Sequence, residues 1–354
     1  MEMKKDIAVI SFSEKGEELG NRIAAGLRDP YGADVTAERC VHGRLSRWTS
    51  ENFEKDALVF IGSCGIAVRA VAPFVASKMT DPAVVVLDET GKYCISLLSG
   101  HIGGANDLVR LIAGLTGAEP VITTATDRNG VFSVDGWASS MGMKIYDSRN
   151  ILPVADKLLS GNTVTMVSEV EISGAVPEGV AFSMSSALGY DPGAGEAGAD
   201  VVISYHNCHR SDSLHIVPPV LVMGVGCRRG TPFASIHEAF SSACGKMDIH
   251  PASLCAVSSV DLKRDEKGLI EFCQFHNVPF HCYTADELNG IRGDFAPSSF
   301  VSRITGVDNV CERSAAAECG PDGRIIMHKT IINGITVSFS VKHGDFAFDH
   351  QKKQ

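Results

Sequence analysis

Ser99–Asp107 reads Ser-Gly-His-Ile-Gly-Gly-Ala-Asn-Asp. His101 is the one side chain here that titrates near neutrality. It is set among Gly100, Gly103 and Gly104, residues that let a backbone approach a ligand closely. Asn106 and Asp107 follow where a helix would begin. The pattern predicts a ligand-binding strand-to-helix turn in preference to a capped loop with a structural histidine. Four further segments hold chemically useful residues. Gly62–Arg69 (Gly-Ser-Cys-Gly-Ile-Ala-Val-Arg) offers backbone N–H groups and a positive dipole end to a carboxylate or phosphate, with Arg69 one turn into the helix. A plain tight turn with a solvated arginine is its simpler reading. Met223–Thr231 repeats the device with Arg228 and Arg229 side by side, a pair suited to carboxylates. Cys227 within it reads as a buried, inert thiol, because no base is visibly paired with it. In Thr123–Asp135, Asp127 and Arg128 follow a strand end, and a turn at Asn129-Gly130 is the plain alternative. In Thr305–Ala315, Glu312 and Arg313 sit on a helix that could equally present a solvated face. His206, Cys208, His209 and His215 fit no standard zinc spacing and read as a polar linker.

Several classes are disfavoured. Gly100-x-x-Gly103-Gly104 is not a dinucleotide fingerprint, the loop Ser11–Gly16 lacks one too, and no Walker-type Gly-Lys-Ser/Thr occurs. The net charge of −10 over 354 residues argues against nucleic acid as a partner. No apolar run approaches the roughly 20 residues of a membrane span. The short charged start, Met1–Asp6, lacks a signal peptide's apolar core. The 11 cysteines are odd in number and contain no Cys-x-x-Cys pair, so the expected location is a reducing cytoplasm.

These residues need positioning elements. Asp6–Phe12, Ala57–Ile61, Ala83–Leu87, Cys94–Leu98 and Val121–Thr124 read as strands. Helices follow Ser13, with Leu19, Ile23 and Leu27 every four residues, and run from Gly65 to about Ala76 and over Gly103–Leu115. From Gly136 to His215 periodicity weakens, and Tyr190–Gly198 is rich in Gly and Pro. After Pro218-Pro219 a second unit opens with strand Val220–Val225 and helix Thr231–Met247. Strand Leu254–Val257, helix Lys267–Asn277, strand Pro279–Tyr283 and helix Val307–Cys319 follow. Asn333-Gly334, between Lys329–Ile332 and Ile335–Ser340, is a strong hairpin signal that predicts an antiparallel edge. The fold class expected is α/β: two three-layer α/β/α domains with mainly parallel sheets, residues 1–135 and 217–354, joined by a smaller irregular middle segment, residues 136–216.

Five segments occur together and in order: GSCGIAVRAVAP (Gly62–Pro73), LLSGHIGGAND (Leu97–Asp107), TTATD (Thr123–Asp127), GVGCRRGTP (Gly224–Pro232) and TGVDNVCERSA (Thr305–Ala315). Together they resemble the CbiG family of cobalamin biosynthesis, the cobalt-precorrin-5A hydrolases, over nearly the whole chain. The resemblance implies an enzyme of the anaerobic branch acting on an anionic cobalt-tetrapyrrole. Water opens the δ-lactone of cobalt-precorrin-5A, and acetaldehyde leaves to give cobalt-precorrin-5B. It implies no resident cofactor and no protein metal site, because the substrate carries the cobalt. Neighbouring pathway methyltransferases are implied as further partners. Lactone opening needs a base and an oxyanion stabiliser. His101 is assigned as base, oriented by Asp107 or Asp127, with Gly103, Gly104 and Asn106 at the oxyanion. Gly65, Arg69, Ser99, Arg228, Arg229 and Glu312 are assigned to substrate binding. The competing readings are a non-catalytic carrier of a cobalt-corrinoid intermediate and a nucleotide-dependent α/β enzyme.

Overall fold

The computed structural model describes residues 5–77, 79–124, 129–146, 148–184, 198–209, 211–297 and 303–349. The chain is α/β and forms two compact units, Met1–Ser140 with Ile151–Asn162, and Met141–Asn150 with Thr163–Gln354.

The first unit is built on a six-stranded sheet. Its strands are β1 (Asp6–Ser11), β2 (Asp34–Arg39), β3 (Ala57–Ile61), β4 (Ala83–Leu87), β5 (Tyr93–Leu98) and β6 (Glu119–Val121), in the order β2-β1-β3-β4-β5-β6. Alternation along the strands feeds two cores. Ile7, Val9, Val59 and Val85 pack under α1 (Glu14–Tyr31) and α4 (Ala105–Thr116). Ala8, Ile10, Leu58 and Phe60 pack with Trp48 of α2 (Leu45–Asn52) and with Ala67, Ala70 and Val71 of α3 (Cys64–Val71). The result is the expected three-layer arrangement. Ser13 caps α1, its Oγ accepting from the Gly16 N–H at 3.1 Å. Leu19, Ile23 and Leu27 are buried, each stabilising the fold by about 1.5–3 kcal/mol.

One strand reverses. β5 runs antiparallel to β4, pairing Leu87 with Cys94 and Val84 with Leu98. The cause is the connection: Asp88–Lys92 is far too short for a parallel crossover, which takes a dozen residues or more. Parallel pairing resumes between β5 and β6 across α4. The segment after β5 therefore leaves the sheet at the edge where β4 begins.

The second unit holds two five-stranded sheets. The middle segment, expected to be small and less regular with one or two helices and some strands, has a sheet in the order β7-β11-β10-β8-β9, from β7 (Lys144–Ile145), β8 (Val164–Ser168), β9 (Val180–Met184), β10 (Val201–Ile203) and β11 (Leu214–Val217). These strands are too short for periodicity to reveal. The other sheet, β14-β13-β12-β16-β15, comprises β12 (Leu221–Gly226), β13 (Leu254–Val260), β14 (Phe280–Tyr283), β15 (Arg324–Ile332) and β16 (Ile335–Val341). β12, β13 and β14 are parallel, and β16 and β15 close the sheet as the expected antiparallel hairpin. Asn333 and Gly334, at φ 50° and 81°, make its tight turn. α5 (Val134–Ser140) and α6 (Ile151–Leu159) belong to the first unit. In the second, Phe240 of α7 (Phe233–Met247) meets Phe272 of α8 (Lys267–His276) and Phe339 of β16. On the other face Ala315 of α10 (Val310–Cys319) packs with Val222 and Ala256. Short α9 (Ala285–Gly290) lies between α8 and α10 in the chain.

Candidate functional site

β5 ends at Leu98, and Ser99 turns the chain with φ 56°. A non-glycine residue in the left-handed region costs roughly 1–2 kcal/mol, and such strain gathers at functional sites. The Ser99 hydroxyl is also buried without a hydrogen-bond partner among the described residues. The loop is then tied to itself. The Gly104 N–H donates to the His101 carbonyl at 2.9 Å, Ala105 N–H to Ser99 O at 3.1 Å, and Asn106 N–H to Gly100 O at 2.9 Å.

The glycines answer to this internal packing. A Cβ on Gly103 would lie 2.4 Å from the Ser99 Cβ, and one on Gly100 would lie 2.8 Å from Asn106 Oδ1. Gly104 needs its φ of 80°. The expectation that these glycines exist to admit a ligand is thus replaced by a tighter one: they let the loop fold on itself. Two residues assigned to an oxyanion are likewise committed within the chain. The Gly104 N–H is bonded to His101 O, and Asn106, 3% exposed, donates from Nδ2 to Thr124 Oγ1 at 3.1 Å. That bond brings Thr124 to the same sheet edge as the loop. Asp127 and Arg128 themselves lie outside the described residues.

Among the described residues Asp135 is a carboxylate beside His101, with Oδ2 3.4 Å from Nδ1. Both side chains are largely buried, at 19% and 11% exposure. Asp135 sits in the first turn of α5, which Trp137 anchors with a fully buried indole. Ser133 Oγ donates to Asp135 Oδ1 at 2.8 Å and accepts from the Gly136 N–H at 3.2 Å. Burial would raise the Asp135 carboxyl, but His101, Ser133 and Gly136 hold it below its ordinary value. Asp107, expected to orient His101, is instead 67% exposed and bonded to Arg110 Nη1 at 2.9 Å. The first turn of α4 places it on the outer face. Asp135 lies not at a strand end but in a helix eight residues past Asp127. Its signal was Ser133-Val134-Asp135, a helix-start pattern.

The remaining residues lie elsewhere. Gly62 follows β3, and its N–H donates to Leu87 O at the end of β4. Because β5 is reversed, Gly65 and Arg69 stand at the opposite sheet edge from His101, separated by the length of β4, roughly 13 Å. The exposed Arg69 guanidinium reaches back to the Gly65 carbonyl at 3.1 Å. In the second unit, Gly224 of β12 packs against α10 so closely that a Cβ would lie 1.8 Å from the Cys311 carbonyl oxygen. This contact joins Gly224–Pro232 to Thr305–Ala315. Arg228 and Arg229 are exposed beyond it. Burial pushes the Cys227 thiol up, in keeping with an unreactive side chain.

Glu312, expected to hold substrate, is 0% exposed. Its oxygens accept from Asn309 Nδ2 at 2.5 Å, the Lys329 N–H at 2.6 Å and the Ala296 N–H at 3.3 Å, with His328 Nδ1 at 3.1 Å. It ties strand β15 and the loop at Ala296 to α10 and presents no oxygen outward. Of the supposed linker, His206 pairs with Glu169 at 2.9 Å, His209 pairs with Asp248 at 3.0 Å, and His215 is buried in β11. An open cavity of about 670 Å³ lies along edge strand β14, lined by His281, Tyr283 and Glu318 among others. It contains none of the residues singled out from the sequence. Among the described residues no three His, Cys, Asp or Glu side chains are grouped to hold a metal ion, and no helix is long and apolar enough to cross a membrane.

Comparison with known proteins gives the following. Residues 47–127 match the profile "Cobalamin synthesis G N-terminal", and residues 221–340 match "Cobalamin synthesis G C-terminus". A cobalt-precorrin-5A hydrolase of Salmonella typhimurium is 36% identical over 300 residues, covering 81% of this chain and 82% of that protein. One from Priestia megaterium is 32% identical over 298 residues, covering 80% and 78%. A solved cobalamin biosynthesis protein G homolog from Sulfolobus solfataricus is 22% identical, covers 95% of this chain and 97% of its own, and superposes with a TM-score of 0.42.

Proposed function

The chain belongs to the cobalamin synthesis G (CbiG) family, and from that premise we propose that it is a cobalt-precorrin-5A hydrolase. The substrate is an anionic cobalt-tetrapyrrole. Water adds to the lactone carbonyl, and the tetrahedral oxyanion collapses to a carboxylate, freeing the ring oxygen as an alkoxide on the bridge carbon. That oxygen becomes a carbonyl as the carbon–carbon bond to the macrocycle breaks, so the bridge carbon leaves with its methyl group as acetaldehyde and the macrocycle keeps the electron pair and takes a proton. His101 takes the proton from water, and the Gly103 N–H is the donor assigned to the oxyanion. The observation that carries this assignment is the His101 imidazole, largely buried beside a carboxylate in a strained loop. Arg228 and Arg229, exposed on the second unit, are suited to carboxylate groups. Cobalt arrives with the substrate, so the reading assigns no resident metal or cofactor. Eleven cysteines with no Cys-x-x-Cys pair support a reducing, cytoplasmic location.

The test is acetaldehyde release from cobalt-precorrin-5A by the purified protein. His101→Ala should lower it by about 100-fold or more. Release near the wild-type rate removes His101 from the chemistry. No release from the wild type itself, with the substrate nevertheless bound, favours the carrier reading.

A further inference from the structure

The first unit supplies more than a histidine. α5 reaches the Ser99–Gly104 loop at two points. Asp135 meets His101 Nδ1 at 3.4 Å, and Ser139 Oγ donates to the Ile102 carbonyl at 2.9 Å. The Asp135 carboxylate is itself oriented, because Ser133 Oγ donates to Oδ1 and leaves Oδ2 toward the imidazole. α5 cannot drift, since Trp137 is fully buried and Phe132 packs on it with ring centroids 5.9 Å apart. Gly136 closes the fit: a Cβ there would lie 2.9 Å from Ser133 Oγ and 3.7 Å from His101 Cβ.

We propose that Asp135, aligned by Ser133, is the positioning residue that holds His101 in the Nδ1–H tautomer with its lone pair on Nε2. The role in turnover rests on the hydrolase reading above; the tautomer itself does not. An ionised carboxylate only accepts hydrogen bonds, so Nδ1 must donate, and Nε2 is then the basic nitrogen. The distance of 3.4 Å is long for a hydrogen bond, as such pairs often are before substrate binds. Asp135→Asn gives a sharp contrast. The Ser133 hydroxyl keeps the amide oxygen at the Oδ1 position. The amide NH2 then faces Nδ1 and forces the hydrogen onto Nε2.

Two readouts test this. The first is the nitrogen-15 NMR spectrum of the His101 ring in the free protein, assigned by the signal missing from His101→Ala. Wild type should show the Nδ1–H form, and Asp135→Asn should shift toward Nε2–H and titrate at lower pH. The second is turnover: kcat should fall about tenfold or more while KM stays within about threefold. Ser133→Ala keeps the charge but loses its alignment, and should lower kcat by less than Asp135→Asn. If Asp135→Asn does not fold, the wild-type spectrum alone decides the tautomer. A wild-type spectrum in the Nε2–H form, or an unchanged His101 tautomer in Asp135→Asn, overturns the positioning role, whichever residue proves to be the base. A shifted tautomer with unchanged kcat leaves the positioning of His101 standing and overturns its place in turnover.

Discussion

At the scale of single residues, the described structure separates carboxylates that look alike in the sequence. Asp107, Asp135 and Glu312 all lie in or beside the glycine-rich motifs. Asp107 is spent on Arg110 at the surface, Asp135 faces His101, and Glu312 is sealed inside. Burial with full hydrogen bonding makes Glu312 an anchor of the fold. Glu312→Ala removes the acceptor from two backbone N–H groups and Asn309 at once. Urea denaturation should show a loss of about 3 kcal/mol or more, with Glu312→Gln milder because it retains one acceptor oxygen. A loss below about 1 kcal/mol in the alanine variant would contradict the anchoring role. The sequence located Glu312 correctly on a helix after a glycine turn. Whether that face met water or protein depended on Lys329 and Ala296, distant in the chain.

At the scale of elements, the middle sheet carries the clearest pH dependence. His215 on β11 is buried, and its Nε2–H donates to the Ser204 carbonyl at 3.1 Å. Burial drives its pKa down to about 4. The folded state thus holds this imidazole neutral while the unfolded chain takes up a proton near the ordinary value of 6.5. Its contribution is complete above that ordinary value and is lost as pH falls from there toward 4, by roughly 3 kcal/mol at most. The unfolding midpoint should therefore drop as pH is lowered through that window. His215→Phe should flatten the drop, and an equal slope in the variant would exclude His215 as its source. The strands of this sheet were nearly invisible in the sequence, since β7 has 2 residues and β10 has 3. The opposite holds for α1, α4 and the β15–β16 hairpin. Their capping serine, four-residue spacing and Asn-Gly turn are local signals, and the structure follows them.

At the scale of the whole molecule, the proposed chemistry makes a demand on metal supply. If cobalt enters only as part of the substrate, prolonged chelation before assay should leave acetaldehyde release within about twofold of the untreated protein. Loss of activity that a divalent ion restores would instead mark a resident metal. Much else at this scale was decided locally. Composition, the strand–helix alternation and five ordered motifs were enough to establish an α/β fold and the family, because each is written in neighbouring residues. What only the tertiary structure decided was which motifs share an edge. The five-residue connection Asp88–Lys92 reverses β5. It sends Ser99–Asp107 to the edge where Thr124 and Asp135 wait, and leaves Gly65 and Arg69 at the other. That short connection was readable in the sequence, but its consequence was not. Strand direction acts on every residue downstream, and the partner of His101 was set by pairing across the sheet rather than by spacing along the chain.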